Sequence, residues 1–171
     1  DKLKLLGEAK YNNKKNYIAY IGGITTERGI KEMIKAVSLV PERYNLKFLL
    51  AGKFSSEKLK NEVKQLEGWR KVEFLGWVNR SKISNILSIS IAGLVVLQPV
   101  DRYIVSYPVK MFEYMSASLA VIASDFPLWN KIIRDNNCGI NIDPTDPKEI
   151  SEGIQYLFDN SEEAKKMGEN G

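Results

Sequence analysis

SYPVKMFEYMSASLAVIASD, residues 106–125, reads as a short helix opened by proline, a turn of small residues and then an apolar strand. Pro108 suits the first helical position, because its missing N–H is not needed there and its φ is already helical. The amides of Val109 and Lys110 are then left without helical partners and can hold an anion. Glu113 is the one acid of this helix. The order helix–turn–strand therefore places a carboxylate and a helix N-terminus beside the edge of a sheet, a setting suited to ribose and phosphate.

The same alternation runs outward in both directions. On the N-terminal side, strand 16–22 leads to a helix over 28–40, where Ile30, Met33, Ile34 and Val37 recur at helical spacing. Strand 46–51, helix 55–66, strand 72–75, helix 80–87 and strand 91–97 follow. On the C-terminal side, a helix near 128–134 precedes a short strand, 139–142, and helices over 147–158 and 161–167 end the chain. Strands separated by helices on this schedule imply an α/β fold, a doubly wound, Rossmann-like parallel sheet with helices on both faces. Residues 1–15 read as a connector and 16–171 as the domain. Ligands of such sheets bind at the carboxyl ends of the strands, where Gly22-Gly23, Gly76-Trp77, the loop after Leu97 and the turn before Pro108 are expected.

Composition narrows the chemistry. The 171 residues include no histidine and a single cysteine, Cys138. Ser-His-Asp and His-metal chemistries are thereby excluded within this sequence, no internal disulfide can form, and a reducing cytoplasmic setting is the simplest reading. The apolar run near 89–97 is much too short for a bilayer span, and the first ten residues lack a signal peptide's apolar core. The formal net charge is +4. Its basic excess lies in roughly the first third, which suits either a solvated surface or attraction to phosphate or anionic lipid. No aromatic and basic sheet motif accompanies it, which argues against a nucleic-acid partner.

The loop over 22–29, GGITTERG, permits close backbone approach at the end of the first strand. It is neither a Walker sequence nor G-x-G-x-x-G, so a plain tight turn and a phosphate loop both remain open. Arg28 can grip a diphosphate through paired hydrogen bonds, or sit as a solvent-facing helix charge. Glu113, among Val109, Met111, Phe112 and Tyr114, needs partners for its charge. Ribose hydroxyls would supply them, and so would Lys110, three residues back. Trp77 suits a ligand contact or a place in the core, while 97–103 reads as a loop whose polar groups could meet a sugar.

Together the blocks YIGGITTERGI, FLGWVNRSKISNIL, KMFEYMSASLAVIASDF, CGINIDPTDPKEI and EEAKKMGENG resemble the C-terminal, nucleotide-sugar donor domain of the retaining GT-B glycosyltransferases of family 4, the glycosyl transferases group 1. The resemblance implies one half of a GT-B two-domain enzyme, with the acceptor domain N-terminal to it. It implies a metal-independent hexosyltransferase using a UDP-sugar, with a GDP-sugar as second choice, and no cofactor. By the same resemblance Glu113 is the second glutamate of E-x7-E and binds ribose, while the first falls at Val105. Ser106, Tyr107, Pro108, Val109 and Lys110 form a variant S-x-P-x-K arrangement around the diphosphate. Gly22 and Gly23 carry the phosphate loop, with Gly23 where the family has arginine and Arg28 where it has lysine. Gly76, Trp77 and Val78 border the nucleobase. Glu113, Arg28 and Lys110 are thus the catalytic candidates. The partners implied are a nucleotide-sugar and a saccharide or lipid-linked acceptor in surface polysaccharide synthesis, at the cytoplasmic face of a membrane. The isolated domain is expected to bind without turnover. A degenerate, non-catalytic binder and a GT-B sugar-nucleotide epimerase are the alternatives.

Overall fold

The computed structural model describes residues 16–171, so the connector expected over 1–15 lies outside the described residues. Six strands form one parallel sheet: β1 (Asn16–Ile21), β2 (Leu46–Ala51), β3 (Val72–Gly76), β4 (Ala92–Val95), β5 (Ala120–Ser124) and β6 (Gly139–Ile142). Their spatial order is β3-β2-β1-β4-β5-β6. The winding reverses between β1 and β4, the place where doubly wound sheets open a crevice at their carboxyl ends.

The α-helices are α1 (Ile30–Leu39), α2 (Glu57–Lys64), α3 (Arg80–Ile89), α4 (Asp101–Ile104), α5 (Val109–Ser116), α6 (Pro127–Asn136), α7 (Pro147–Asp159) and α8 (Ser161–Asn170). Both faces of the sheet are buried, so alternate strand residues feed two cores. Ile18 and Tyr20 of β1 join Ile122 of β5 under α1, α2, α7 and α8. Ala19, Ile21, Val121 and Ala123 face α3, α5 and α6. Ile30, Met33, Ile34 and Val37 form the buried stripe of α1, as their spacing requires. Polar caps fix several helix starts: Ser56 accepts from the Leu59 N–H, Asn79 from Lys82 and Asp146 from Lys148.

Most boundaries move by one to three residues, and three of the differences bear on the site. The first helix starts at Ile30, because Thr25 caps a separate 3-10 turn, Thr26–Arg28, and Gly29 then adopts φ 78°. Arg28 consequently belongs to the turn before the helix. Pro108 is the N-cap of α5, one residue earlier than expected. The stretch read as a loop over 97–103 runs into α4, a single turn too short to show periodicity.

Cys138 is fully buried, and burial pushes its thiol up. In the folded protein we expect no modification of Cys138 by an aromatic disulfide reagent, followed by stoichiometric reaction once denaturant opens the α6–β5 core. Rapid labelling without denaturant would contradict this packing.

Candidate active site

The crevice has a local cause. β1 pairs with β2 along its whole length, but its pairing with β4 covers only Ile18–Ala92 and Ala19–Gly93. Beyond that stretch the Ile21 N–H goes to the Tyr114 hydroxyl of α5 at 3.0 Å. Tyr114 reaches it because residue 93 is glycine: a Cβ there would stand 2.3 Å from the Tyr114 ring. Burial pushes the Tyr114 hydroxyl well above its usual range, so it stays neutral and locks α5 to the end of β1.

Gly22 and Gly23 follow directly, and two cations occupy the room that their missing side chains leave. A Cβ on Gly22 would lie 3.3 Å from Lys110 Cε, 3.4 Å from the Tyr20 hydroxyl and 3.7 Å from Arg28 Nη1. A Cβ on Gly23 would lie 3.1 Å from Arg28 Nη1. The loop is held from several sides. Tyr20 donates to Gly23 O (2.6 Å), the Arg28 N–H reaches Thr25 Oγ1 (3.1 Å), the Gln98 N–H reaches Glu27 O (2.8 Å), and Arg102 pairs with Glu27.

α5 presents its N-terminus to the same place. No side chain caps Pro108, and Met111 turns its N–H back to Pro108 O at 3.1 Å. The amides of Val109 and Lys110 form the open end of the helix. The approach loop is pinned underneath, where Trp129 Nε1 donates to Ser106 O (2.6 Å) and Ser106 Oγ to Tyr103 O (3.2 Å).

Two cavities meet on Val109 and Lys110. One, of about 410 Å³, lies between α3 and α5 with Glu113, Arg80, Ile83 and Phe112 in its wall. The other, of about 270 Å³, holds Arg28, Tyr20, Tyr103, Ser106, Tyr107 and Pro108. The first has an apolar floor with one carboxylate, as a nucleoside needs; the second gathers cation and hydroxyls, as phosphate needs. A hollow of about 800 Å³ lies along β6, against Ile133, Ile140 and Tyr156. It sits at the outer edge of the sheet and contains neither Arg28 nor Lys110, so its greater volume does not make it the better candidate.

Glu113 is not embedded among apolar groups as its sequence neighbours suggested. Helical geometry turns Met111 and Tyr114 inward and leaves Glu113 exposed, paired with Lys110 Nζ at 2.6 Å. An exposed pair of this spacing contributes only about 0.3–0.5 kcal/mol, so a ligand can readily replace it. Trp77 is 81% exposed and Val78 packs against the second core; neither lines the two cavities. Sequence reasoning missed Tyr20 and Arg80, and reached Tyr103 only as part of the loop over 97–103. The two tyrosines end up beside Arg28 through sheet topology, which no local pattern announces.

Among the described residues no group of three or more Cys, Asp or Glu side chains converges to hold a metal ion, and no helix is long and apolar enough to cross a membrane.

Relatives share this architecture. The chain is 27% identical over 155 residues to the alpha-D-kanosaminyltransferase of Streptomyces kanamyceticus, a match covering 90% of the chain and 39% of that protein. It thus spans well under half the length of the curated relatives it matches. The fold is that of the C-terminal domain of a glycosyl transferase group 1 family protein from Francisella tularensis (TM-score 0.75, 20% identity, 96% of this chain and 88% of that one). It also matches the Anabaena protein HepE in complex with UDP (TM-score 0.77, 15% identity, 98% of this chain and 45% of that one). The model of the glycosyl transferases group 1 matches residues 2–171, and the chain belongs to that family.

Proposed function

We propose that this chain is the donor-nucleotide domain of a retaining glycosyltransferase, binding a nucleoside diphosphate sugar, with UDP preferred and GDP next. The observation that carries this reading is the meeting of the Glu113 cavity and the Arg28 cavity at Lys110, on the open N-terminus of α5. The nucleoside occupies the first cavity, with Glu113 accepting from the ribose hydroxyls. The diphosphate crosses the α5 amides towards Arg28, and the sugar lies beyond, near Tyr107. When the bond from sugar to phosphate breaks, negative charge grows on the departing diphosphate. Arg28, Lys110 and the amides of Val109 and Lys110 are already in place to stabilise it, so little reorganisation is required. These groups neutralise the leaving group with protein charge in place of a metal.

The attacking hydroxyl comes from a saccharide or lipid-linked acceptor held by a further domain. Work on a surface polysaccharide at the inner face of a membrane belongs to the same proposal, as does transfer of a hexose. This chain alone is expected to bind the donor without turnover.

Calorimetric titration with UDP, GDP, ADP and TDP tests the reading, with Glu113→Ala as the paired variant. Charge-assisted hydrogen bonds to ribose contribute about 1.5–3 kcal/mol each, so the variant should bind the preferred nucleotide more than about tenfold weaker. Equal affinity of Glu113→Ala and wild type would sink the assignment of Glu113, and absence of binding by all four nucleotides would sink the donor site.

One observation favours a second reading. Val105 stands where the family's first glutamate falls, 76% exposed at the end of α4 and without a carboxylate. A nucleotide-sugar binder that has lost turnover fits that residue, and transfer by the full-length protein decides between the two. Isomerisation of the donor without acceptor would instead mark an epimerase.

A further inference from the structure

Two tyrosines from different parts of the chain converge on Arg28. Tyr20, the last residue but one of β1, is nearly buried, and its hydroxyl spends its proton on Gly23 O at 2.6 Å, which leaves its oxygen lone pairs to accept from the guanidinium. The Tyr20 oxygen and Arg28 Nη1 stand 3.4 and 3.7 Å from one point above Gly22. Tyr103 comes from α4, which is tied to the glycine loop by the Arg102–Glu27 pair, and the Arg102 guanidinium covers its ring at 4.8 Å. Both tyrosines share the 270 Å³ cavity with Arg28. Burial alone would lower Arg28, but hydrogen bonds to Tyr103 and Tyr20 outweigh it and hold the guanidinium above its ordinary range.

The order of groups across the site gives this cluster a direction. Glu113 lines the first cavity, Lys110 stands at the junction and Arg28 lies in the second. A nucleotide whose ribose is at Glu113 therefore meets Lys110 first, and only a second phosphate extends to Arg28. We propose that Tyr20 and Tyr103 are positioning residues that hold Arg28 aimed at the terminal phosphate of a nucleoside diphosphate, so that the chain distinguishes diphosphate from monophosphate. This rests on the donor-nucleotide reading of the site. A guanidinium held in place loses less rotamer freedom on binding than a free one, and the gain goes only to ligands that reach it.

The test combines UDP and UMP titrations of wild type, Tyr20→Phe, Tyr103→Phe and the double variant with nitrogen-15 NMR of the arginine side chains, Arg28 being assigned by Arg28→Lys. We expect the double variant to bind UDP about tenfold weaker while UMP affinity and the melting temperature of Tyr103→Phe stay unchanged. The Arg28 side-chain resonance, resolved in the nucleotide-free wild type, should collapse to a rotationally averaged signal in the double variant. Parallel weakening of UDP and UMP would overturn the proposal in favour of a structural role for the tyrosines, and so would undiminished UDP affinity. If the wild type binds no UDP, the donor reading fails separately and the NMR still decides: an Arg28 signal that survives loss of both hydroxyls overturns the positioning, and one that collapses supports it.

Discussion

Arg28→Ala is expected to weaken UDP binding by about two to four orders of magnitude with little change in melting temperature. Charge-assisted bonds from a guanidinium to phosphate contribute about 1.5–3 kcal/mol each, and two of them lost together, at about 1.4 kcal/mol per decade, give that range. The fold should tolerate the change. Arg28 is half-buried in a 3-10 turn whose own stability comes from Thr25 and Gly29, and its side chain joins neither hydrophobic core. Arg28→Lys separates charge from shape: a lysine keeps the positive charge but presents no planar fork, and the affinity should fall between the other two. Added salt should weaken wild type more than Arg28→Ala, because one phosphate contact has already gone from the variant. Calorimetry at two salt concentrations checks all three expectations. An Arg28→Ala chain that binds UDP as wild type does would place the diphosphate elsewhere.

The sheet was legible because parallel strands buried on both faces are continuous apolar runs, as in Ile18–Ile21 and Ala120–Ala123, and the glycines just after β1 and at the end of β3 mark where they stop. Helix α1 showed itself by spacing. The single turn of α4 did not, since four residues cannot display a period. At the site, the helix start at α5 and the glycine loop could be read locally, because Pro108 and Gly22-Gly23 owe their conformations to their own covalent structure. The environment of Glu113 could not: a helix separates sequence neighbours onto opposite faces, and its apolar flanks Met111 and Tyr114 point away from it. Nor could the convergence of Tyr20 and Tyr103 on Arg28, which depends on β1 and β4 being adjacent in the sheet although 70 residues of chain separate Ile21 from Ala92. Trp77 invited attention by its type, but its position, largely in solvent and outside both cavities, gives it no share in the geometry that joins Glu113, Lys110 and Arg28.

Gly52→Ala should be the most damaging single methyl in the loop region, and it lies outside every motif. Gly52 follows β2 with φ 144°, and a Cβ there would stand 1.8 Å from Gly22 O and 2.8 Å from Gly22 C. Backbone atoms of this kind cannot step aside singly. The Gly22 N–H is bound to Ala51 O (3.0 Å), the Gly52 N–H to Gly76 O (2.7 Å), and the Ile24 N–H to Lys53 O (2.9 Å), so the ends of β1, β2 and β3 are laced together around the contact. Relief requires the glycine loop to move outward, and with it the carbonyl that holds Tyr20 and the turn that carries Arg28. Strained backbone and overpacking each cost about 1–3 kcal/mol, so a loss near 4 kcal/mol and a melting temperature lower by about 8–16 °C are expected. UDP affinity, measured well below that temperature, should fall by more than about a hundredfold, because the loop displaces both the phosphate-facing backbone and Arg28. Gly76→Ala supplies the contrast. Its φ of 65° also disfavours a side chain, yet a Cβ there meets nothing within 4 Å. It should cost only about 1–2 kcal/mol and leave nucleotide binding intact. The difference between the two variants isolates the close approach of Gly52 to Gly22 from the general strain of a positive φ. Equal melting temperatures and equal UDP affinities for the pair would mean that the contact between the first two strand ends does not set the position of the phosphate loop.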